Sequence, residues 1–96
     1  MQTFDVAHIR EQGVDLIVIP LDRSFGFKTS SEQNEISRAL ETYAHDAGLA
    51  GVVVTVWDSG GGRMAFLAPR GYHPFFSSLT MIDVTMNINK TLKCYS

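Results

Sequence analysis

The sequence is poor in the features that mark several classes of protein. Its 96 residues contain one cysteine, Cys94, which excludes an internal disulfide and suits a reducing compartment. No apolar run approaches the ~18–20 residues of a membrane-spanning helix, and the first residues lack the basic start and apolar stretch of a signal peptide. Eight basic and ten acidic residues give a net charge of −2, without the electrostatic footprint of a nucleic-acid-binding protein. We therefore expect a soluble cytoplasmic protein that binds neither membranes nor nucleic acid.

The chain also lacks linkers, repeats and low-complexity segments, so we interpret residues 1–96 as a single domain. Its strongest signal is a strand–helix–strand unit. Apolar runs at 14–21 and 51–57 predict two strands, and the second is apolar on both of its alternating faces, which is typical of a central strand.

Between these strands, the sequence predicts a helix over residues 29–48. Two overlapping capping boxes, Thr29 with Glu32 and Ser30 with Gln33, mark its start, and Gly48 marks its end. Apolar residues recur within it at three- and four-residue spacing, as one stripe that faces the sheet: Ile36, Ala39, Leu40, Tyr43, Ala44 and Ala47.

Most of the remaining segments are interpreted as further strands. Residues 3–9 and 14–21 predict a hairpin and residues 63–68 a returning strand, whereas residues 69–80 are either irregular or contain a short helix near 74–79. Apolar and polar residues alternate throughout most of residues 81–95, and this pattern predicts a final strand. The pattern leaves open whether this segment is one strand, splits near 87–90, forms a hairpin or pairs with another chain.

Together these elements predict an α+β two-layer sandwich. A mixed or antiparallel sheet of about five strands would carry the main helix on one face. The best specific topology is a ferredoxin-like βαββαβ core with an extra N-terminal strand.

Few residues have the spacing of a catalytic site. His73 could act as a base oriented by Asp58, with Arg70 nearby, but Asp58 is more readily explained by its glycine-rich turn and His73 as a loop residue. The histidines lie on separate elements and only one cysteine is present, so the pattern predicts neither a metal site nor a cofactor.

Two other groups of residues are candidates for binding. Lys28, Thr29 and Ser30 combine a cation, hydroxyls and free N–H groups at a helix N-terminus, where an anion could bind. Aromatic residues crowd two loops and a strand end, more than a small core obviously needs. They either close the core or line a pocket or a subunit interface: Phe25, Phe27, Trp57, Tyr72, Phe75 and Phe76.

The first half of the chain, Phe4-Asp5-Val6 and then Leu16 to Asp22 with the helix, resembles the opening of STAS domains. These are regulatory modules that bind protein partners. The resemblance implies a phosphorylatable serine at a helix N-terminus, for which the sequence offers Ser30, Ser31, Ser77 and Ser78.

The leading hypothesis is therefore a small non-catalytic binding or interaction module that forms a homodimer or larger homo-oligomer, with the last strand and the aromatic loops at the interface. The alternative is a small enzyme or small-molecule-binding protein with a site where loops 22–28, 58–62 and 69–76 converge. A STAS-like regulator is the third hypothesis.

Overall fold

The computed structural model describes residues 2–94 as one five-stranded mixed sheet with helices on both faces. The strands are β1 (Gln2–Glu11), β2 (Val14–Pro20), β3 (Val52–Gly60), β4 (Arg63–Leu67) and β5 (Lys90–Cys94). Their order across the sheet is β4-β3-β2-β1-β5, so that β4 and β5 form its edges. The predicted α+β fold class is confirmed.

The sheet is built from two hairpins and one crossover. Antiparallel β1 and β2 are joined through Gln12 and Gly13, and antiparallel β3 and β4 through Gly61 and Gly62. The helix α1 (Ser30–Asp46) connects β2 to β3, which run parallel as direct neighbours. Because a ferredoxin-like core is a split βαβ unit, the direct pairing of β2 with β3 leaves that topology unconfirmed.

Helix α1 covers one face of the sheet, as the sequence predicts. Thr29 caps it through a complete capping box with Glu32, and Leu49 N–H returns to the Ala44 carbonyl at 2.9 Å to close its last turn. Its apolar stripe packs on residues that alternate inward along the strands. This core consists of Val6, Ile17, Ile19, Leu40, Ala44, Val53 and Leu92.

The other face is covered by two short helices, α2 (His73–Ser77) and α3 (Met81–Met86). Of the two alternatives for residues 69–80, the structure has the one with a short helix, whose bounds are His73–Ser77. Phe76 and Val84 enter a second core here, which also contains Ala7, Leu16, Val18, Val54 and Val56.

Residues 81–95 do not form one long strand: the segment is interrupted at 87–89, where the pattern left a split open, and its first half is a helix and not a strand. The segment divides into α3 and β5, and Tyr95 lies outside the described residues. Thr80 and Asp83 form a capping box that starts α3, with the Thr80 hydroxyl accepting the Asp83 N–H at 3.2 Å. The helix buries Val84 and leaves Ile82 and Met86 exposed, whereas the alternating pattern required all three side chains on one buried face.

Candidate functional site

Two of the three candidate loops meet at one end of the sheet. Residues 22–28 follow β2, residues 58–62 comprise the end of β3 and the turn after it, and parallel strands end at the same edge of a sheet. Leu21 N–H donates to the Val56 carbonyl at 2.8 Å and holds the two strand ends together. In sheets with parallel strands, this carboxyl end is where ligands commonly bind.

These two loops enclose a small cavity of about 110 Å³. Its lining combines aromatic walls with a cation, a carboxylate and a hydroxyl: Arg23, Gly26, Phe27, Trp57, Asp58 and Ser59. Phe27 is 85% exposed at its rim. A residue this apolar and this exposed is available for contact with a ligand or another molecule.

The inner wall of the cavity is the Trp57 side chain, which is only 8% exposed. Phe25 packs edge-on against it with ring centroids 4.9 Å apart, and Gly26 lies over it so closely that a Cβ there would be 2.7 Å from the indole Nε1. The indole N–H makes no hydrogen bond to another described residue. Since none of the fully buried side-chain nitrogens and oxygens in residues 2–94 lacks a partner, this N–H keeps some exposure to solvent.

The polar groups of the cavity are held by the two loops themselves. Asp58 accepts the Gly60 N–H at 2.8 Å, and the Ser59 hydroxyl donates to the Arg63 carbonyl at 3.2 Å. Arg23 follows Asp22, whose carboxylate caps the 3₁₀ helix of residues 23–27; the Ser24 side chain and backbone N–H hold the pKa of Asp22 below its usual value. The cavity therefore presents an anchored carboxylate and a cation on opposing loops.

The third loop, residues 69–76, does not join this cavity. Because β4 runs antiparallel to β3, Leu67 lies opposite Thr55, and the chain leaves β4 near Val52 and Val53 at the other end of the sheet. His73 donates its Nε2–H to the Ala68 carbonyl at 2.9 Å and packs edge-on against Phe66. The structure therefore brings His73 and Arg70 to the opposite end of β3 from Asp58, and the three-loop site is not formed.

The anion candidate at the start of α1 is already occupied by a carboxylate. Thr29 donates both its backbone N–H and its hydroxyl to Glu32 Oε1, at 3.2 and 3.0 Å. These bonds hold the pKa of Glu32 below its usual value, so that the carboxylate stays ionised at the helix end. An external anion at Lys28, Thr29 and Ser30 would have to compete with it.

The aromatic candidates fall into two groups. Phe25, Trp57 and Phe76 are buried and close the core, while Phe27 is exposed and Tyr72 and Phe75 are half-buried against the second core. Among the residues that imply a STAS-like switch, Ser30 and Ser31 begin α1, whereas Ser77 and Ser78 end α2.

The two edge strands of the sheet differ in chemistry. β5 carries lysine at two of its five positions, Lys90 and Lys93. β4 reads Arg63-Met64-Ala65-Phe66-Leu67 and has no charge after its first residue. Sequence reasoning did not single out β4; the run of uncharged residues from Met64 to Ala68 was the available signal. Nor did it single out Gly26, because the role of this residue depends on how two distant loops meet.

Within residues 2–94, no group of three or more histidine, cysteine, aspartate or glutamate side chains is arranged to hold a metal ion. No helix in that range is both long and apolar enough to cross a membrane. Comparisons of the chain with protein-family models, curated proteins and solved structures gave no significant match.

Proposed function

We propose that this chain is a non-catalytic interaction module of the cytoplasm that associates with a second copy of itself along the edge of β4. The observation that carries the proposal is the chemistry of this edge. Natural sheets protect their edges with lysine, proline or bulges, since free N–H and C=O groups would otherwise pair with another chain. β5 has its lysines, whereas β4 presents four successive uncharged residues after Arg63.

The sequence of β4 is complementary to itself about Ala65. In an antiparallel pair centred on that residue, Met64 of one copy would lie opposite Phe66 of the other, twice across a two-fold axis. Both side chains point to the face that carries the second core, where they are half-buried in the monomer. Methionine–aromatic contacts and cross-strand apolar pairs are both favourable, so the second copy supplies contacts that the monomer leaves unmade.

The pairing surface is short, and its small area limits the expected affinity of the dimer. Five residues from each chain bury less than the ~1,200–2,000 Å² of a stable interface, so we expect a reversible dimer that forms on the order of 100 µM. The half-buried Phe75 lies in the same core as Met64 and Phe66, and would extend the interface beyond the strand itself.

Sedimentation equilibrium over a concentration series tests the proposal. We expect the wild type to shift from 10.6 kDa towards twice that mass, and Met64→Lys to remain monomeric because a charge on β4 defends the edge. Thr91→Lys is the matched control, since it adds the same charge to the opposite edge, and it should dimerise like the wild type. A wild-type monomer throughout the series, or dimerisation of Met64→Lys at wild-type strength, would exclude pairing along β4.

A further inference from the structure

We infer that the cavity between residues 22–28 and 58–62 binds a free α-amino acid. Its carboxylate would lie towards Arg23 and the Trp57 indole N–H, and its ammonium group towards Asp58. This binding site is separate from the β4 edge and does not depend on self-association. Four features of the cavity support it: a donor without a partner, a cation, a fixed carboxylate and an exposed aromatic rim.

The donor is the strongest of these features. Trp57 lines the cavity and is more than nine-tenths buried, and its Nε1–H, which keeps some exposure to solvent, has no hydrogen-bond partner among the described residues. The N–H of a largely buried tryptophan usually has a hydrogen-bond partner. A ligand with an acceptor oxygen at this position would satisfy it, and the close approach of Gly26 keeps the indole in place.

Arg23 supplies the charge that makes this acceptor a carboxylate. It lines the cavity and forms no ion pair within 4.0 Å to any described acidic residue. Guanidinium groups bind carboxylates through two parallel hydrogen bonds, which gives geometric selectivity as well as attraction. The indole N–H adds a further donor to the same ligand group.

Asp58 determines what else the ligand must carry. One of its oxygens accepts the Gly60 N–H, which fixes the carboxylate in the cavity wall, and its other oxygen has no partner among residues 2–94. A simple carboxylate ligand would meet repulsion here, and a simple amine would meet repulsion from Arg23. A zwitterion with its two charges one carbon apart satisfies both groups.

The cavity volume and Phe27 set the size of the ligand. A space of about 110 Å³ suits the charged head of an amino acid, and the ligand's side chain would extend outwards along the exposed Phe27 ring. Aromatic or large apolar side chains would gain most from this contact. For a ligand of this size we expect a dissociation constant on the order of millimolar.

The single tryptophan gives a direct probe, because the ¹H–¹⁵N spectrum contains only one indole cross-peak. We would titrate the protein with phenylalanine, with 3-phenylpropionate, which lacks the ammonium group, and with phenethylamine, which lacks the carboxylate. Phenylalanine should move the Trp57 indole peak in a saturable way, and each of the other two should bind about tenfold more weakly or worse. Equal affinity for 3-phenylpropionate would reduce the cavity to an anion site, and the absence of any saturable shift would exclude it as a ligand site.

Variants then separate binding from folding. Arg23→Gln and Asp58→Asn should each weaken phenylalanine binding about tenfold, and Asp58→Asn keeps the oxygen that accepts the Gly60 N–H. Arg63→Gln is the matched control, since Arg63 starts β4 next to this hairpin but does not line the cavity, and it should bind like the wild type. Unchanged binding in Arg23→Gln and Asp58→Asn would overturn the assignment. Adding Met64→Lys should leave binding intact, so failure of the self-association proposal would not affect this one.

Discussion

Gly51 lies against the main chain of Asp15, where β2 and β3 begin to run side by side. Its φ is +128°, and a Cβ at this position would overlap the carbonyl group of Asp15. Both the backbone conformation and the close approach require glycine. The parallel pairing that brings together the ends of β2 and β3 therefore starts at a position where no side chain fits.

We expect Gly51→Ala to destabilise the protein by about 3 kcal/mol or more, because strain and backbone overlap add together. Gly13→Ala is the matched control. The φ of Gly13 is +77° but the space around this residue is open, so the substitution should lower the free energy of unfolding by only about 1–2 kcal/mol. Chemical denaturation of the two variants measures both values. Equal losses would mean that β3 can shift away from Asp15 at little cost.

His8 and His45 form hydrogen bonds with two consecutive carbonyl groups, those of Ala50 and Gly51. Nε2 of His8 lies 2.9 Å from the Ala50 oxygen, and Nε2 of His45 lies 2.8 Å from the Gly51 oxygen. Carbonyl oxygens only accept hydrogen bonds, so both neutral imidazoles must carry their proton on Nε2. Imidazole ¹⁵N shifts at alkaline pH should show this tautomer for both residues, and a dominant Nδ1–H form in either would contradict the arrangement.

Replacing either histidine by alanine should cost about 0.5–1.5 kcal/mol, the net contribution of one hydrogen bond. The loss should be accompanied by faster amide exchange in residues 48–51, which these bonds attach to β1 and α1. Replacement of His73, which bonds the distant Ala68 carbonyl, should leave the exchange of residues 48–51 unchanged.

Thr55 is the one fully buried polar residue in the described core, and its hydroxyl lies 3.5 Å from that of Ser37 on α1. This distance is at the limit of a hydrogen bond, so the pair contributes little. Thr55→Val keeps the shape of the side chain and should leave the free energy of unfolding within about 1 kcal/mol of wild type. Thr55→Ala should be worse than Thr55→Val, because it removes a buried methyl group. A loss well above 1 kcal/mol for Thr55→Val, which keeps the packing and removes only the hydroxyl, would show that the hydrogen bond to Ser37 matters.

The capping box of α1 predicts a pH dependence. Because the pKa of Glu32 is lower in the folded protein than its ordinary 4.5, the ionised carboxylate stabilises the fold fully above that value. The contribution is lost as the pH falls through the lowered pKa of the folded state. The stability difference between wild type and Glu32→Gln should therefore shrink as the pH falls from about 4.5 through the lowered pKa of the folded state. Glu35→Gln controls for the change in net charge, and a Glu32→Gln difference that stays constant over this range would contradict the prediction.

Most of the fold could be predicted from features that involve residues close together in the sequence. The capping residues, apolar spacing and terminal glycine predicted α1 at 29–48, and the structure places it at Ser30–Asp46 with Thr29 as its cap. The buried run of β3 and the first hairpin also depend on residues close in the chain. These elements were predictable because their local sequence patterns favour the same structure as their packing contacts in the folded protein.

The last segment shows where that reasoning fails. Thr80 and Asp83 have the same spacing as Thr29 and Glu32, but the strand prediction followed the apolar residue at every second position and did not consider this pair. In the structure the capping box prevails. An alternating apolar pattern is also compatible with a short helix, in which only one of its apolar residues is buried. Here Val84 is buried, whereas Ile82 and Met86 face solvent.

The site was only half predictable for a different reason. Aromatic and polar residues in loops 22–28 and 58–62 could be singled out from the sequence, and these loops do enclose a cavity. Loop 69–76 does not join them because β4 returns antiparallel to β3 across the short Gly61–Gly62 turn, and the predicted returning strand at 63–68 already implied that this loop lies at the other end of the sheet. Gly26 gains its role only because Trp57 lies beneath it.

The pairing of β1 with β5 has a mechanical consequence. Gln2 lies opposite Cys94 and Val6 opposite Lys90, so the two ends of the described chain leave the sheet side by side and in antiparallel strands. A force that pulls these ends apart would load the ladder one residue pair at a time, from Gln2–Cys94 inwards, rather than all pairs together. The domain would therefore yield by peeling at low force, with β5 as the first element to detach, while the strands around α1 remain folded.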